Sequence, residues 1–239
     1  ENLPFDPQRI SSLASELSEK CISGSRQDWN AYETSWDFLT SPLVGSHQHE
    51  IAVAYLTLRT RWQTTTSMMR HYEEENNRII IQAYGLEAEL SPEVPLTEIT
   101  LTCNPHCRYG SGHLRKKEWA ALCERVPETC QRLETIAAEM APEMPGEQRL
   151  GLEQRLLDDT MREFISYAVG CVFGRYSLDK PGLVLANQGE ALEDYIRVVS
   201  GQWAVNRDQA GEKITFVPVE NNVIPVLDVR GLAFAYPDG

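Results

Sequence analysis

Hydrophobic positions along the chain recur mostly at helical spacing. Ile10, Leu13, Leu17 and Cys21 lie 3, 4 and 4 residues apart, on one face of a helix over 9–22. Ser23-Gly24-Ser25 reads as its end. Trp29, Tyr32 and Trp36, spaced 3 and 4, predict a short aromatic helix over 26–38 closed by Pro42. Tryptophans at that spacing read as core before they read as base-stacking platforms. The longest pattern covers 48–84: Ile51, Tyr55, Leu58, Trp62, Thr65, Met69, Tyr72, Asn76, Ile79 and Ala83 alternate spacings of 4 and 3, a heptad seam. A helix carrying it is roughly 55 Å long, with Gly85 as its cap. Asn76 is the polar seam residue that sets register, and Glu73-Glu74-Glu75 reads as a solvated face.

Residues 91–105 hold three prolines among β-branched side chains, a linker with a short strand at 99–102. A helix over 115–140 places Trp119, Leu122, Val126, Cys130, Leu133 and Ile136 on one side, and Pro127 demands a kink or break in it. After a loop at 141–146, a second long helix covers 147–175. Its first half is amphipathic, through Leu150, Leu157, Met161 and Phe164. Its end is apolar all round, which predicts burial on every side, and Gly170 and Gly174 lie one turn apart for a close neighbour. Residues 178–182 form a turn about Pro181-Gly182. Asn187 and Glu190 resemble a capping box that opens a short helix, and 213–227 reads as two short strands around Asn221-Asn222.

These elements predict a mainly α fold: two long helices packed with shorter helices, and a small β-containing C-terminal piece. Four regions follow. They are a helical region with the long spacer helix (1–90), a Pro-rich linker and turn (91–114), a second helical region (115–183), and a short helix plus small β piece (184–239).

With 239 residues, 42% of them hydrophobic and five tryptophans, the chain can bury a sizeable core. Its formal net charge of −13 argues against a general nucleic-acid clamp, because phosphate neutralisation supplies much of such affinity. Contact with DNA would need a local patch. One runs from Arg108 through His113 to Arg115, Lys116 and Lys117; a second holds Arg175 and Lys180. Six cysteines spread through predicted helices suit a reduced, cytoplasmic setting. The most apolar run, 164–173, is half of the roughly 20 residues a helix needs to cross a bilayer, and no signal-peptide pattern opens the chain. No membrane partner is expected. A first residue of Glu suggests a fragment or a processed chain.

The stretch TLTCNPHCRYGSGH (100–113) carries the candidate chemistry. Asn104-Pro105 invites comparison with the Asn-Pro-Pro-aromatic loop that holds a flipped base in amino-methyltransferases. Here the next positions are His106 and Cys107, and Tyr109 comes two residues too late. No glycine-rich turn follows an upstream strand to hold S-adenosylmethionine. A zinc site from Cys103, His106, Cys107 and His113 is an alternative, although the spacing is not two regular ligand pairs. An ordinary turn leading into a basic helix accounts for the stretch most simply. No Ser-His-Asp, nucleophilic Cys or paired-carboxylate site emerges, and Asp158-Asp159 reads as solvated.

Several longer blocks carry a family resemblance: DWNAYETSWDF (28–38), YEEENNRIIIQAYGL (72–86), SPEVPLTEITLTCNPHCRYG (91–110), DDTMREFISYAVGCVFGRYSLDKPGL (158–183) and NNVIPVLD (221–228). In this order they resemble the C-terminal half of PglX, the adenine-specific DNA methyltransferase of BREX phage-defence systems. The resemblance implies a much longer parent whose amino-terminal part carries the methyltransferase, its Asn-Pro-Pro-Tyr motif and its S-adenosylmethionine. That motif has no counterpart here, so the resemblance implies a segment inactive alone, without catalytic residues or a cofactor of its own. Its role would be spacer, target recognition and assembly. Its partners would be DNA through the parent enzyme, the methyltransferase half and other BREX proteins. The residues chosen for DNA contact are Arg108, Tyr109, Arg115, Lys116 and Lys117, then Arg175, Tyr176 and Lys180. Residues 229–239 depart from the family's continuation, as a truncated gene, a frameshift or an artificial end would produce. The alternative is a stand-alone helical interaction module without a DNA role, using the 51–83 seam for a protein partner.

Overall fold

The computed structural model describes residues 12–46, 48–172, 175–178 and 181–184, together with the backbone of strands at 203–207, 214–218 and 232–234. The described residues are mainly helical, and two long helices dominate. The chain divides into two compact units. One comprises 1–30 and 42–160, the other 31–41 and 161–239.

In the first unit, helix α1 (Ser12–Trp29) buries Ala14 and Leu17. It runs straight through Ser23-Gly24-Ser25, where the sequence suggested a break. Gly24 serves packing instead, since a Cβ there would sit 2.8 Å from Met69 Cε. The predicted aromatic helix over 26–38 does not form. Residues 26–29 finish α1, turns follow, and Trp29 is 56% exposed.

Helix α2 (Ile51–Tyr84) has 34 residues and is about 51 Å long. It packs on α1 and on a later helix, α5 (Pro127–Met140). Tyr55, Leu58, Trp62 and Met69 of the predicted seam are buried, but Thr66 replaces Thr65, and Ile81 replaces Ile79 and Ala83. A straight helix turns 3.6 residues per repeat, so a 3.5-residue seam drifts about 20° per heptad. The buried stripe follows the helix. The middle of the predicted seam, through Tyr55, Leu58, Trp62 and Met69, is buried within the unit itself, whereas Ile51 is exposed and Tyr72, Asn76, Ile79 and Ala83 are half-buried. Gly85 caps α2 at φ 69°, ψ 35° and donates to Gln82 O, while Leu86 N–H reaches Ile81 O. Asn76 Nδ2 lies 3.4 Å from Ser18 Oγ of α1. The acidic cluster is half-buried rather than fully solvated: Glu74 Oε1 accepts from Arg70 Nε and Val94 N–H.

No strand forms at 99–102. The alternation is real, because Ile99, Leu101 and Cys103 are buried, but the backbone partners are local turns, with Ile99 N–H on Leu96 O and Leu101 N–H on Ile99 O, and side chains. Asp28 accepts from Thr102 N–H at 2.5 Å and Cys103 N–H at 3.0 Å. Asn104 Nδ2 donates to Leu96 O at 2.7 Å and Ile99 O at 2.8 Å. Helix α3 (Pro105–Tyr109) and helix α4 (Lys116–Arg125) follow. As predicted, the 115–140 pattern breaks at Pro127, which takes the first turn of α5, where its missing N–H costs least. Cys130, Leu133 and Ile136 are buried on α5 and Trp119 on α4.

Helix α6 (Gly146–Val172) begins in the first unit and ends in the second. The second unit centres on Phe38, Tyr167 and Tyr176. Phe38 meets both tyrosines edge-on, and the tyrosines stack at 5.0 Å. Gly170 makes room for Tyr176, whose Cδ2 lies 2.7 Å from where a Cβ would be. The end of α6 is not buried all round: Ile165, Val169 and Val172 are exposed, and only the Tyr167–Gly170 face is covered. Gly182, at φ 82°, turns the chain and donates to Leu39 O. In the C-terminal piece, β1 (Trp203–Arg207) pairs antiparallel with β2 (Ile214–Pro218), and β2 pairs in parallel with β3 (Leu232–Phe234). The capping box at Asn187 and the second strand expected after Asn221-Asn222 lie outside the described residues.

Candidate nucleic-acid interface

Asn104 begins the site. Its side chain accepts from His106 N–H at 3.1 Å while its amide ties down the preceding segment. This caps α3, and Pro105 takes the first helical position. Gly110, at φ 68°, ends the helix. The turn then lays Gly112 against Gly151 of α6. A Cβ at Gly112 would collide with the backbone of Gln148 and Leu152, and one at Gly151 would lie 2.7 Å from the His113 backbone. Gln154 finishes the attachment, accepting from Arg115 N–H at 2.8 Å.

This architecture brings Arg108, Tyr109, Arg115 and Lys116 against α6, while Lys117 is exposed in the first turn of α4. Between Ile99 and Lys117 the sequence has no acidic residue, but α6 supplies several. Arg108 Nη2 lies 3.9 Å from Asp159 Oδ2, and Tyr109 donates to the same oxygen at 2.8 Å. Arg115 Nε donates to Glu118 at 2.5 Å and Nη2 to Asp158. Lys116 pairs with Glu147. Asp158 and Asp159 are therefore half-buried partners of this strip rather than solvated charges. The sequence reading missed Arg155. Its guanidinium lies 4.3 Å from the Tyr109 ring centroid, a cation–π contact made one turn after Gly151. Its only local signal was a polar position on an amphipathic helix.

Beneath α3 lies a second feature without a sequence signal. Arg59 donates through Nε to Glu153 Oε2 at 2.7 Å and through Nη2 to Oε1 at 2.5 Å, and both side chains are essentially fully buried. Burial opposes the Arg59 charge, but Glu153 holds its pKa above the ordinary value. His106 is buried nearby, and loss of water pushes its pKa down.

No protein-family model matches the chain. It is similar to the adenine-specific methyltransferase PglX of Lacticaseibacillus casei (strain Zhang), with 28% identity over 232 residues, covering 95% of this chain and 14% of that protein. It is also similar to the adenine-specific methyltransferase BrxX of Escherichia coli O9:H4 (strain HS), with 30% identity over 174 residues, covering 73% of this chain and 11% of that protein. The chain is a relative of the PglX/BrxX-type adenine-specific methyltransferases. It spans a small part of their length.

The PglX-like blocks now have places. Residues 72–86 are the end of α2 with its Gly85 cap, and 91–110 run through the Asn104 clasp to the end of α3. In this PglX/BrxX relative, Asn104-Pro105 is a helix cap. The second basic group sits differently from the first. Tyr176 is 2% exposed, with one face against Tyr167, and burial pushes its hydroxyl up to about 12. Its ring is engaged within the second unit. Arg175 lies 5.3 Å from the Tyr176 ring centroid, and Lys180 lies outside the described residues. The possible zinc ligands are dispersed in character: Cys103 and His106 are buried, Cys107 is half-buried and His113 is exposed. Among the described residues no three His, Cys, Asp or Glu side chains are arranged to hold a metal ion. No helix among them is long and apolar enough to cross a membrane.

Proposed function

We propose that the chain is a non-catalytic spacer, target-recognition and assembly segment from the C-terminal half of a BREX-type, site-specific adenine DNA methyltransferase that serves phage defence in the cytoplasm. The extent of the PglX match, 232 residues, carries this reading. The chain would comprise the helical region 1–90, the linker and turn 91–114, the second helical region 115–183 and the C-terminal piece 184–239. Its partners would be the methyltransferase half, other BREX proteins and DNA.

S-adenosylmethionine belongs to the parent enzyme in this reading. The glycine turn at 110–112 does not fit that cofactor, because it follows a helix rather than the strand of a dinucleotide-type fold. No methyl-transfer step is therefore assigned to the described residues. The DNA contacts are the strip of Arg108, Tyr109, Arg115, Lys116 and Lys117, extended by Arg155.

The test is methyl transfer from labelled S-adenosylmethionine to phage DNA, by the chain alone and with a supplied methyltransferase half. No transfer alone and restored transfer on complementation are expected. Transfer by the chain alone would overturn the reading.

A second reading, a stand-alone protein-interaction module, draws on the exposed apolar side chains of the second unit. Trp36 is 94% exposed, and Ile165, Val169 and Val172 follow one face of α6. Contiguous exposed apolar surface marks association sites. The 51–83 seam contributes less to this reading, because Tyr55, Leu58, Trp62 and Met69 are buried within the first unit, although Ile51 is exposed. Salt-insensitive self-association without DNA binding would favour the module.

A further inference from the structure

A recess of about 390 Å³ opens between the 111–115 turn and α6, lined by Ser111, Gly112, His113, Arg115, Gly151 and Arg155. No carboxylate is among the lining residues. The two arginines are held in complementary ways. Arg155 has no acidic partner among the described residues and rests its guanidinium on the Tyr109 ring. Stacking engages the face of a guanidinium and leaves its in-plane N–H donors for a ligand. Arg115 is anchored at Nε by Glu118 and at Nη2 by Asp158, which orients the fork and leaves Nη1 unclaimed. The wall between them is rigid, because Gly112 and Gly151 meet backbone to backbone.

Two oriented guanidinium groups, a hydroxyl and an imidazole match a tetrahedral oxyanion. Asp158, Asp159 and Glu118 compensate the neighbouring cations Arg108 and Arg115, so the recess, with no carboxylate in its lining, is where along the strip a phosphate meets least repulsion. Its volume is at the small end of the range for ligand sites, roughly 300–1,000 Å³, which suits one phosphate group with part of its sugar. We propose that this recess takes a single backbone phosphodiester of DNA, with Arg155 and Arg115 as its ligands. The proposal rests on the DNA-contact reading above and names the atoms that carry it.

The experiment is duplex binding by the full chain, followed by fluorescence anisotropy across a salt series, for the wild type, Arg155→Ala and Arg155→Lys. Arg155 is exposed, and circular dichroism checks that each variant is folded. Arg155→Ala should weaken binding about tenfold, as expected for a charge-assisted hydrogen bond, equally across duplex sequences. The slope of log K against log salt should fall in magnitude by about 1. Arg155→Lys should restore the slope but only part of the affinity, because an ammonium lacks the planar fork.

Duplex binding that Arg155→Ala leaves unchanged would overturn the recess while leaving the DNA reading standing. No duplex binding by the wild type, alone or with the methyltransferase half, would overturn both. Inorganic phosphate shifting the His113 imidazole resonances without competition from duplex would show a free-phosphate site and overturn the diester.

Discussion

Arg59 and Glu153, 94 residues apart in sequence, form a two-point ion pair with no solvent access. It ties α2 to α6 below the α3 turn. Arg59 Nη2 also lies 3.6 Å from Met140 Sδ, and Nη1 is buried without a hydrogen-bond partner. Removing one member of such a pair leaves a buried charge unmatched, which costs about 3–5 kcal/mol; replacing both with apolar residues often costs little. Arg59→Met should therefore destabilise the chain by that amount in urea denaturation, and so should Glu153→Leu. The double variant should recover most of the loss. A double variant as unstable as the sum of the singles would show that the pair is needed for more than mutual compensation.

Asn104 should be the most sensitive polar residue in the candidate interface. It is fully buried and its side chain makes three hydrogen bonds: two donated to Leu96 O and Ile99 O, one accepted from His106 N–H. Asn104→Ala loses the helix cap and strands buried carbonyls, a combined cost of about 3 kcal/mol. Asn104→Asp keeps the cap acceptor and loses both donors, so it should remain well below wild type. Equal stability of Asn104→Asp and wild type in thermal melts would contradict this assignment.

His106 predicts an acid-sensitive step. Burial lowers its folded pKa below the ordinary 6.5, with Arg59 adding to the effect and Glu153 opposing it. Between the two values the unfolded chain binds more protons, so stability rises with pH in that window. The full contribution is present above about 6.5 and is lost as pH falls toward the folded value. Urea midpoints at pH 7.5 and 5.5 should fall further for wild type than for His106→Gln. Parallel losses would remove His106 from the acid response.

Gly151→Ala should separate the turn from α6. The added methyl would meet the His113 backbone at 2.7 Å, and overpacking against backbone costs about 1–3 kcal/mol. Gly45→Ala is the control, because nothing lies within 4 Å of its Cβ position. The control should be near neutral, and Gly151→Ala should lower both the melting temperature and the amide-exchange protection of 111–115. Unchanged protection would show that the turn does not depend on this contact.

What the sequence determined by itself was local. The long helix, its Gly85 cap and the break at Pro127 follow from periodicity, positive φ and a missing N–H, which act within a few residues. The family likeness was also legible, because it rests on long blocks in order. Periodicity did not decide which residues would be covered. A 3.5-residue seam and a 3.6-residue helix diverge, so Thr66 and Ile81 are buried where Thr65 and Ile79 were expected. The apolar end of α6 is covered only where Phe38 and Tyr176 meet it. The 99–102 segment has the alternation of a strand, but local turns take part of its backbone bonding, and Asp28, more than 70 residues away, and Asn104 take Thr102 N–H and Ile99 O. Arg155 over Tyr109 and Arg59 on Glu153 likewise join distant residues. Each is set by how helices pack, and a single chain's pattern of polar and apolar residues records which face must be covered, not what will cover it.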